Sequence, residues 1–132
     1  ARAISLLADA DRLAPMVELV GLQALPAPER MVLLAGRLLR EAFLQQSALS
    51  PNDATSTPAK QQALLELVLA VHDQTLALLG RGVSAGAIEE ADLSGVTRVH
   101  DEVGPDDAAA VARRRDEVLG ALEALAPPEP GR

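Results

Sequence analysis

The sequence predicts an all-α fold, a helical bundle of about five to six helices. Two long antiparallel helices form its centre and short helices follow at the C-terminal end. Three observations predict it. Aromatic residues are 1% of 132 residues while hydrophobic residues are 48%, so the core is built from Leu, Val, Ile and Ala. These side chains suit close helix packing and lack the aromatic complement that sheets favour. Apolar residues recur at helical spacing through most of the chain. Pro, Ser and Thr stand where helices would start and Gly where they would end. No stretch alternates like a strand, and no repeat of fixed period is found. The pattern fits one domain over residues 1–126, with residues 127–132 expected to form a disordered tail.

The first helix is expected from Ala1 to Leu13, with Ile4, Leu7 and Leu13 on one face. Pro15 should interrupt or kink it. Met16, Val17, Leu19 and Val20 continue apolar to Gly21, a C-cap residue. Leu22 to Ala27 reads as a turn. Pro26 and Pro28 suit the opening of a second helix, where a missing N–H costs nothing, and Glu29 complements its dipole. That helix is predicted from Pro28 to about Gln46. Met31, Leu34, Ala35, Leu38 and Ala42 form its stripe, which Val32, Leu39 and Phe43 widen. Arg30, Arg37, Arg40 and Glu41 mark the opposite, polar side.

Ser47 to Thr57 is a loop by composition. Thr57 and Pro58 are a helix start. The third helix is predicted from Pro58 to Leu79, with Leu64, Val68, Val71 and Leu78 on one side and Gly80 and Gly82 at its end. Ser84 should cap a short helix to Glu90 and Ser94 another to about Val103. Gly104 and Pro105 precede a last helix from Asp106 to Leu125, with Val111, Val118 and Leu122 inward and Asp106 and Asp107 in its first turn.

The net charge of −7 argues against nucleic acid, which needs a basic face. No cysteine is present, which removes disulfides and thiolate chemistry and fits a reducing compartment. No apolar run is expected to approach the roughly 18 residues that span a bilayer, so direct membrane insertion is not expected. The chain starts at Ala1 and carries no signal peptide pattern; it is expected to continue upstream.

Chemistry-bearing patterns are sparse, and no catalytic or metal-binding residue is predicted. A phosphate-cradling G-x-x-x-x-G-K-[ST] loop needs a Gly-Lys pair, and the single lysine, Lys60, follows Ala59. Gly82-Val-Ser84-Ala-Gly86 matches the G-x-S-x-G of serine hydrolases. That motif works as a turn between strand and helix; here it reads as a glycine C-cap followed by a serine N-cap. His100-Asp101-Glu102 are consecutive helix residues that diverge and cannot share one ion. His72 and Asp73 read as a partly buried or surface pair. Arg113-Arg114-Arg115 beside Asp116 and Glu117 reads as an exposed, salt-bridged face.

One stretch is more specific. Glu18-Leu-Val-Gly21, Ala24-Leu-Pro26, Glu29-Arg30 and Leu39-Arg-Glu-Ala-Phe-Leu-Gln-Gln-Ser-Ala48 resemble the C-terminal helical domain of the catalytic A subunit of V-type and A-type ATPases. Asp53 with Pro58-Ala-Lys-Gln61 is similar to that family's D-x4-P-x-K-Q pattern, and Leu79 to Val83 to its L-x-x-G-V turn. The resemblance covers Met16 to Val83; beyond Ser84 only the arrangement of helices agrees.

The resemblance implies a part of a rotary motor in which A and B subunits alternate around a central stalk. ATP and Mg would be bound by an upstream nucleotide-binding domain of the same polypeptide. The helical domain would swing as that site opens and closes, and so couple ATP hydrolysis or synthesis to proton or sodium movement. It would be cytoplasmic, peripheral to the membrane through the complex, and would not be catalytic alone. By this resemblance Gln23, Ala24, Leu25, Pro26, Ala27 and Glu29 contact the stalk. They occupy the place of an acidic lever in the related F-type beta chain, of which Leu25 and Glu29 keep the pattern. Phe43, Gln45, Gln46 and Ala48 would lie beside the nucleotide, without base stacking at Ala48. A free-standing α-helical interaction module would share the helix pattern but not the L-R-E-A-F-L-Q-Q-S-A motif.

Overall fold

A computed structural model describes residues 2–44, 58–102 and 107–126. All regular structure among these is helical. Helix α1 spans Arg2–Val20, a 3-10 turn spans Leu22–Ala24, and α2 spans Ala27–Leu39 and passes into a π-helical turn, Arg40–Leu44. Then come α3 (Pro58–Gly80), α4 (Ala85–Glu90), α5 (Ser94–Glu102) and α6 (Ala108–Glu123).

Helix α2 packs between α1 and α3, and α6 lies along α3. The end of α2 (Leu39, Phe43) lies beside the start of α3 (Pro58, Gln61, Leu65) and the start of α1 (Ala3, Leu7). The two central helices therefore run antiparallel. The predicted α2 stripe (Met31, Leu34, Ala35, Leu38, Ala42) is wholly buried and meets Leu64, Leu67, Val68, Val71 and Leu78 of α3. Val111, Val118 and Leu122 of α6, Ile88 of α4 and Val96 and Val99 of α5 complete one core.

Helix α3 is long and apolar enough, by length and composition, to cross a membrane. This corrects the expectation that no run approaches that length. Its Leu64, Leu67, Val68, Val71 and Leu78 are nevertheless part of the bundle core.

Several expectations are corrected. Pro15 does not break α1, which continues to Val20. Pro15 stands on an exposed side, where the carbonyl left without its N–H partner faces water. Helix α2 changes to π geometry at Arg40 instead of continuing as α-helix. The start of α5 is capped by Asp92, whose Oδ1 accepts from the Ser94 N–H at 3.0 Å and hydroxyl at 2.6 Å. These two donors hold the Asp92 carboxyl below the usual carboxylate range. Helix α6 ends at Glu123, two residues before Leu125. Ser84 does cap α4, accepting from the Ala87 N–H at 3.1 Å, and Asp107 caps α6 through the Ala110 N–H at 3.0 Å. Thr57 and Asp106 lie outside the described residues.

Two glycines have the left-handed backbone their turns require. Gly21 (φ 87°) ends α1, its N–H reaching the Val17 carbonyl at 2.8 Å. Gly82 (φ 92°) ends the turn after α3, where Gly82 N–H meets Leu79 O and Val83 N–H meets Leu78 O. This is a Schellman closure, and Val83 supplies its hydrophobic contact by turning into the core. The L-x-x-G-V pattern is thus a helix stop.

Candidate functional site

The α1–α2 turn is one end of the molecule's central rod. Pro26 fixes an extended conformation before α2, with Pro28 in its first turn. Within the turn, Gln23, Ala24 and Pro26 are exposed, Ala27 and Glu29 half-buried, and Leu25 is 6% exposed. Leu25 therefore faces inward and is not part of the exposed surface of the turn, because an apolar side chain gains more from burial than from facing solvent. The exposed apolar surface comes instead from the last turn of α1. Leu19 is 84% exposed and Val20 60%, with Met16 beside them.

Behind the turn, Arg30 makes a two-pronged ion pair with Glu89 of α4, Nε to Oε2 at 3.1 Å and Nη2 to Oε1. Both side chains are largely buried. The Glu89 hydrogen bonds push the Arg30 pKa up. The expected polar face of α2 is thus partly internal. At the α1–α2 crossing, Gly36 admits Ala10: a Cβ on Gly36 would stand 2.6 Å from the Ala10 Cβ.

The far end of α2 is different. Phe43, half-buried on the π turn, lines an apolar cleft of about 390 Å³ with Leu39, Ala3, Leu7, Pro58 and Leu65, edged by the amides of Gln61 and Gln62. Gln45, Gln46 and Ala48 lie outside the described residues. From the tip at Ala27 to Leu44 the rod is about 25 Å long at a rise of ~1.5 Å per residue.

Ser84 is exposed and its oxygen accepts the α4 cap bond, so the G-x-S-x-G match is two helix ends meeting. Among the described residues no His, Asp or Glu cluster could hold a metal ion. The arginine run does more than decorate a surface. Arg114 donates to the Gly95 carbonyl at 2.7 Å and pairs with Glu102 at 2.9 Å, tying α6 to α5. Arg81 and Gln74 engage Glu123 and hold its carboxyl below the usual range. Sequence reasoning missed the burial of Lys60, which is fully inaccessible, and left His72, at 9% exposure, as a partly buried or surface residue. Both fall on the inner side of α3 beside Leu64 and Val68, and that registration was the available signal.

Residues 1–86 match the model of a protein family described as the C-terminal domain of V and A type ATP synthase. The V-type ATP synthase alpha chain of Anaeromyxobacter sp. (strain K) is 41% identical over 116 residues, 85% of this chain and 20% of that protein. The alpha chain of Nitrosococcus oceani is 43% identical over 83 residues, 63% of this chain and 14% of that protein. The V-type ATP synthase alpha chain of Halothermothrix orenii is 33% identical over 91 residues, 69% of this chain and 15% of that protein. The chain thus spans about a fifth or less of the length of these curated relatives.

Proposed function

The chain belongs to the family of C-terminal domains of V- and A-type ATP synthases, and from that premise we propose that it is the lever of the catalytic A chain. In this reading it links ATP hydrolysis or synthesis in an upstream nucleotide-binding domain to rotation of a central stalk, and thereby to proton or sodium transport. Its other neighbours are B subunits of the hexamer, and it works on the cytoplasmic side, peripheral to the membrane.

The observation that carries the reading is one stiff connection between two unlike ends. A turn fixed by Pro26, Leu25 and the Arg30–Glu89 pair presents Leu19, Val20, Gln23 and Ala24 outward. The rod α2 runs from there to the Phe43 cleft. In this reading ATP and Mg are held by the upstream domain. The Phe43 end faces that domain. The tip works by shape and apolar contact, since Glu29 is the one acidic residue from Gln23 to Glu29.

The test is coupling in the intact complex. Leu19→Asp with Val20→Asp places charge on the tip without touching the core. ATP turnover should persist while ions transported per ATP fall. Unchanged coupling in a fully assembled complex would remove the lever role from this tip.

A further inference from the structure

Three helices meet at the Phe43 cleft. Ala3 and Leu7 of α1, Leu39 and Phe43 from the end of α2 and its π turn, and Leu65 of α3 wall a space of about 390 Å³. Leu39 is buried, but Ala3, Leu7, Phe43 and Leu65 are only half-buried although they pack against the core. None of the described lining residues is charged, in a chain where 23% of residues are. The side chains of Gln61 and Gln62 stand at the rim, both exposed. An apolar hollow of this size, with polar groups only at its edge, has the make-up of a binding site and marks a surface that another group covers. An uncharged occupant fits it, since a buried charge would find no partner there. At the rim that occupant would meet amides that both donate and accept.

We propose that this cleft is a socket for aliphatic or aromatic side chains of the upstream nucleotide-binding domain of the same polypeptide. The proposal rests on the lever reading above, which places that domain before residue 1. The matched family is a C-terminal domain, and the chain spans about a fifth or less of its relatives. Helix α1 begins at Arg2, and Ala3 and Leu7 on its first two turns form one wall of the cleft. The preceding polypeptide is thus tethered at that wall, and the tether raises the effective concentration of its side chains there. The rest of the chain is a poorer source. Residues 45–57 carry one large apolar side chain, Leu49, too little to fill the cleft. Helix α6 ends at the opposite end of α3, where Glu123 meets Gln74 and Arg81.

A side chain seated in the socket touches α1, α2 and α3 at once. Movement of the upstream domain then enters the rod at Phe43 and carries α1 and α3 with it, instead of bending α2 alone. The ion pairs that tie α1 to its neighbours, Arg2–Asp73 and Arg40–Asp11, are exposed and contribute little by themselves. The apolar contact is therefore the stronger joint.

A photo-reactive amino acid at Gln62 tests this in the full-length chain within the assembled complex. Gln62 is exposed at the rim, so its replacement leaves the core untouched; Gln61 is the second site if assembly fails. The crosslink should run to an aliphatic or aromatic segment of the upstream domain of the same polypeptide. It should be lost in Ala3→Phe, which fills the cleft from its own wall, or in Ala3→Leu if phenylalanine is not accommodated. Crosslinks only to residues 45–57, only to a neighbouring subunit, or to nothing would each overturn the socket. A crosslink that persists in the filled variant would do so too, because the upstream domain would then touch the rim without entering. Loss of the stalk contact at the tip would sink the lever and leave this crosslink in place. Loss of this crosslink with normal coupling would sink only the socket.

Discussion

Helices α1 and α2 come close together at Gly36, and Gly36→Ala should weaken the bundle although alanine is the better helix former. The added Cβ would stand 2.6 Å from the Ala10 Cβ, against about 3.5–4.0 Å for an ordinary carbon contact. Ala10 is 6% exposed and its Cβ is fixed to the α1 backbone, so no rotamer change relieves the contact and the helices must part by about 1 Å. Overpacking of this kind costs about 1–3 kcal/mol, and the propensity gain offsets about 1 kcal/mol of it. A double-mutant cycle with Ala10→Gly separates the two. Propensity effects belong to single sites and cancel, whereas the clash exists only when both methyls are present. The cycle should give a coupling energy of about 1–3 kcal/mol, measured by urea denaturation of the four proteins followed by far-UV circular dichroism. Additivity within about 0.5 kcal/mol, or a Gly36→Ala protein more stable than the parent, would refute the close crossing and the stiffness it gives to the arm behind the tip.

Three further outcomes are expected. Leu25→Ala should cost about 2–4 kcal/mol in chemical denaturation as a core truncation, while Gln23→Ala two residues away changes stability by less than about 0.5 kcal/mol; equal effects would mean that the turn is not anchored from inside. Arg30→Gln and Glu89→Gln should each destabilise the chain, and their cycle should show about 1–2 kcal/mol of coupling, more than an exposed pair gives because both side chains are largely buried. Ser84→Ala should lose about 1 kcal/mol through the α4 cap, with no change in ester cleavage; loss of a measurable hydrolase activity would instead support a nucleophile there.

The helices were legible because their signals are local. Pro58, Ser84, Gly21 and Gly82 act through their own backbone and neighbouring amides. The α2 stripe was legible because Met31, Leu34, Ala35, Leu38 and Ala42 share one face at helical spacing, and all five are buried. What escaped depends on partners distant in the chain. Gly36 has meaning only against Ala10, and Arg30 looks like a surface residue until Glu89 arrives 59 positions later. Leu25 stands in a turn, where side chains are usually exposed, yet it is buried. The π turn at Arg40–Leu44 has no residue signature in the sequence; it carries Phe43, which lines the cleft. The sequence motifs mark the α1–α2 turn and the Phe43 end of α2, but they carry no signal that Leu19 and Val20 are exposed beside the turn.

The central claim, that this tip meets the central stalk, is tested most directly by a photo-reactive amino acid at Gln23, an exposed position whose replacement should leave the fold intact. In the assembled complex held in successive nucleotide states, the account predicts crosslinks from position 23 to the central stalk whose yield changes with the nucleotide. Crosslinks that go only to A or B subunits, or a stalk crosslink indifferent to the nucleotide state, would contradict it.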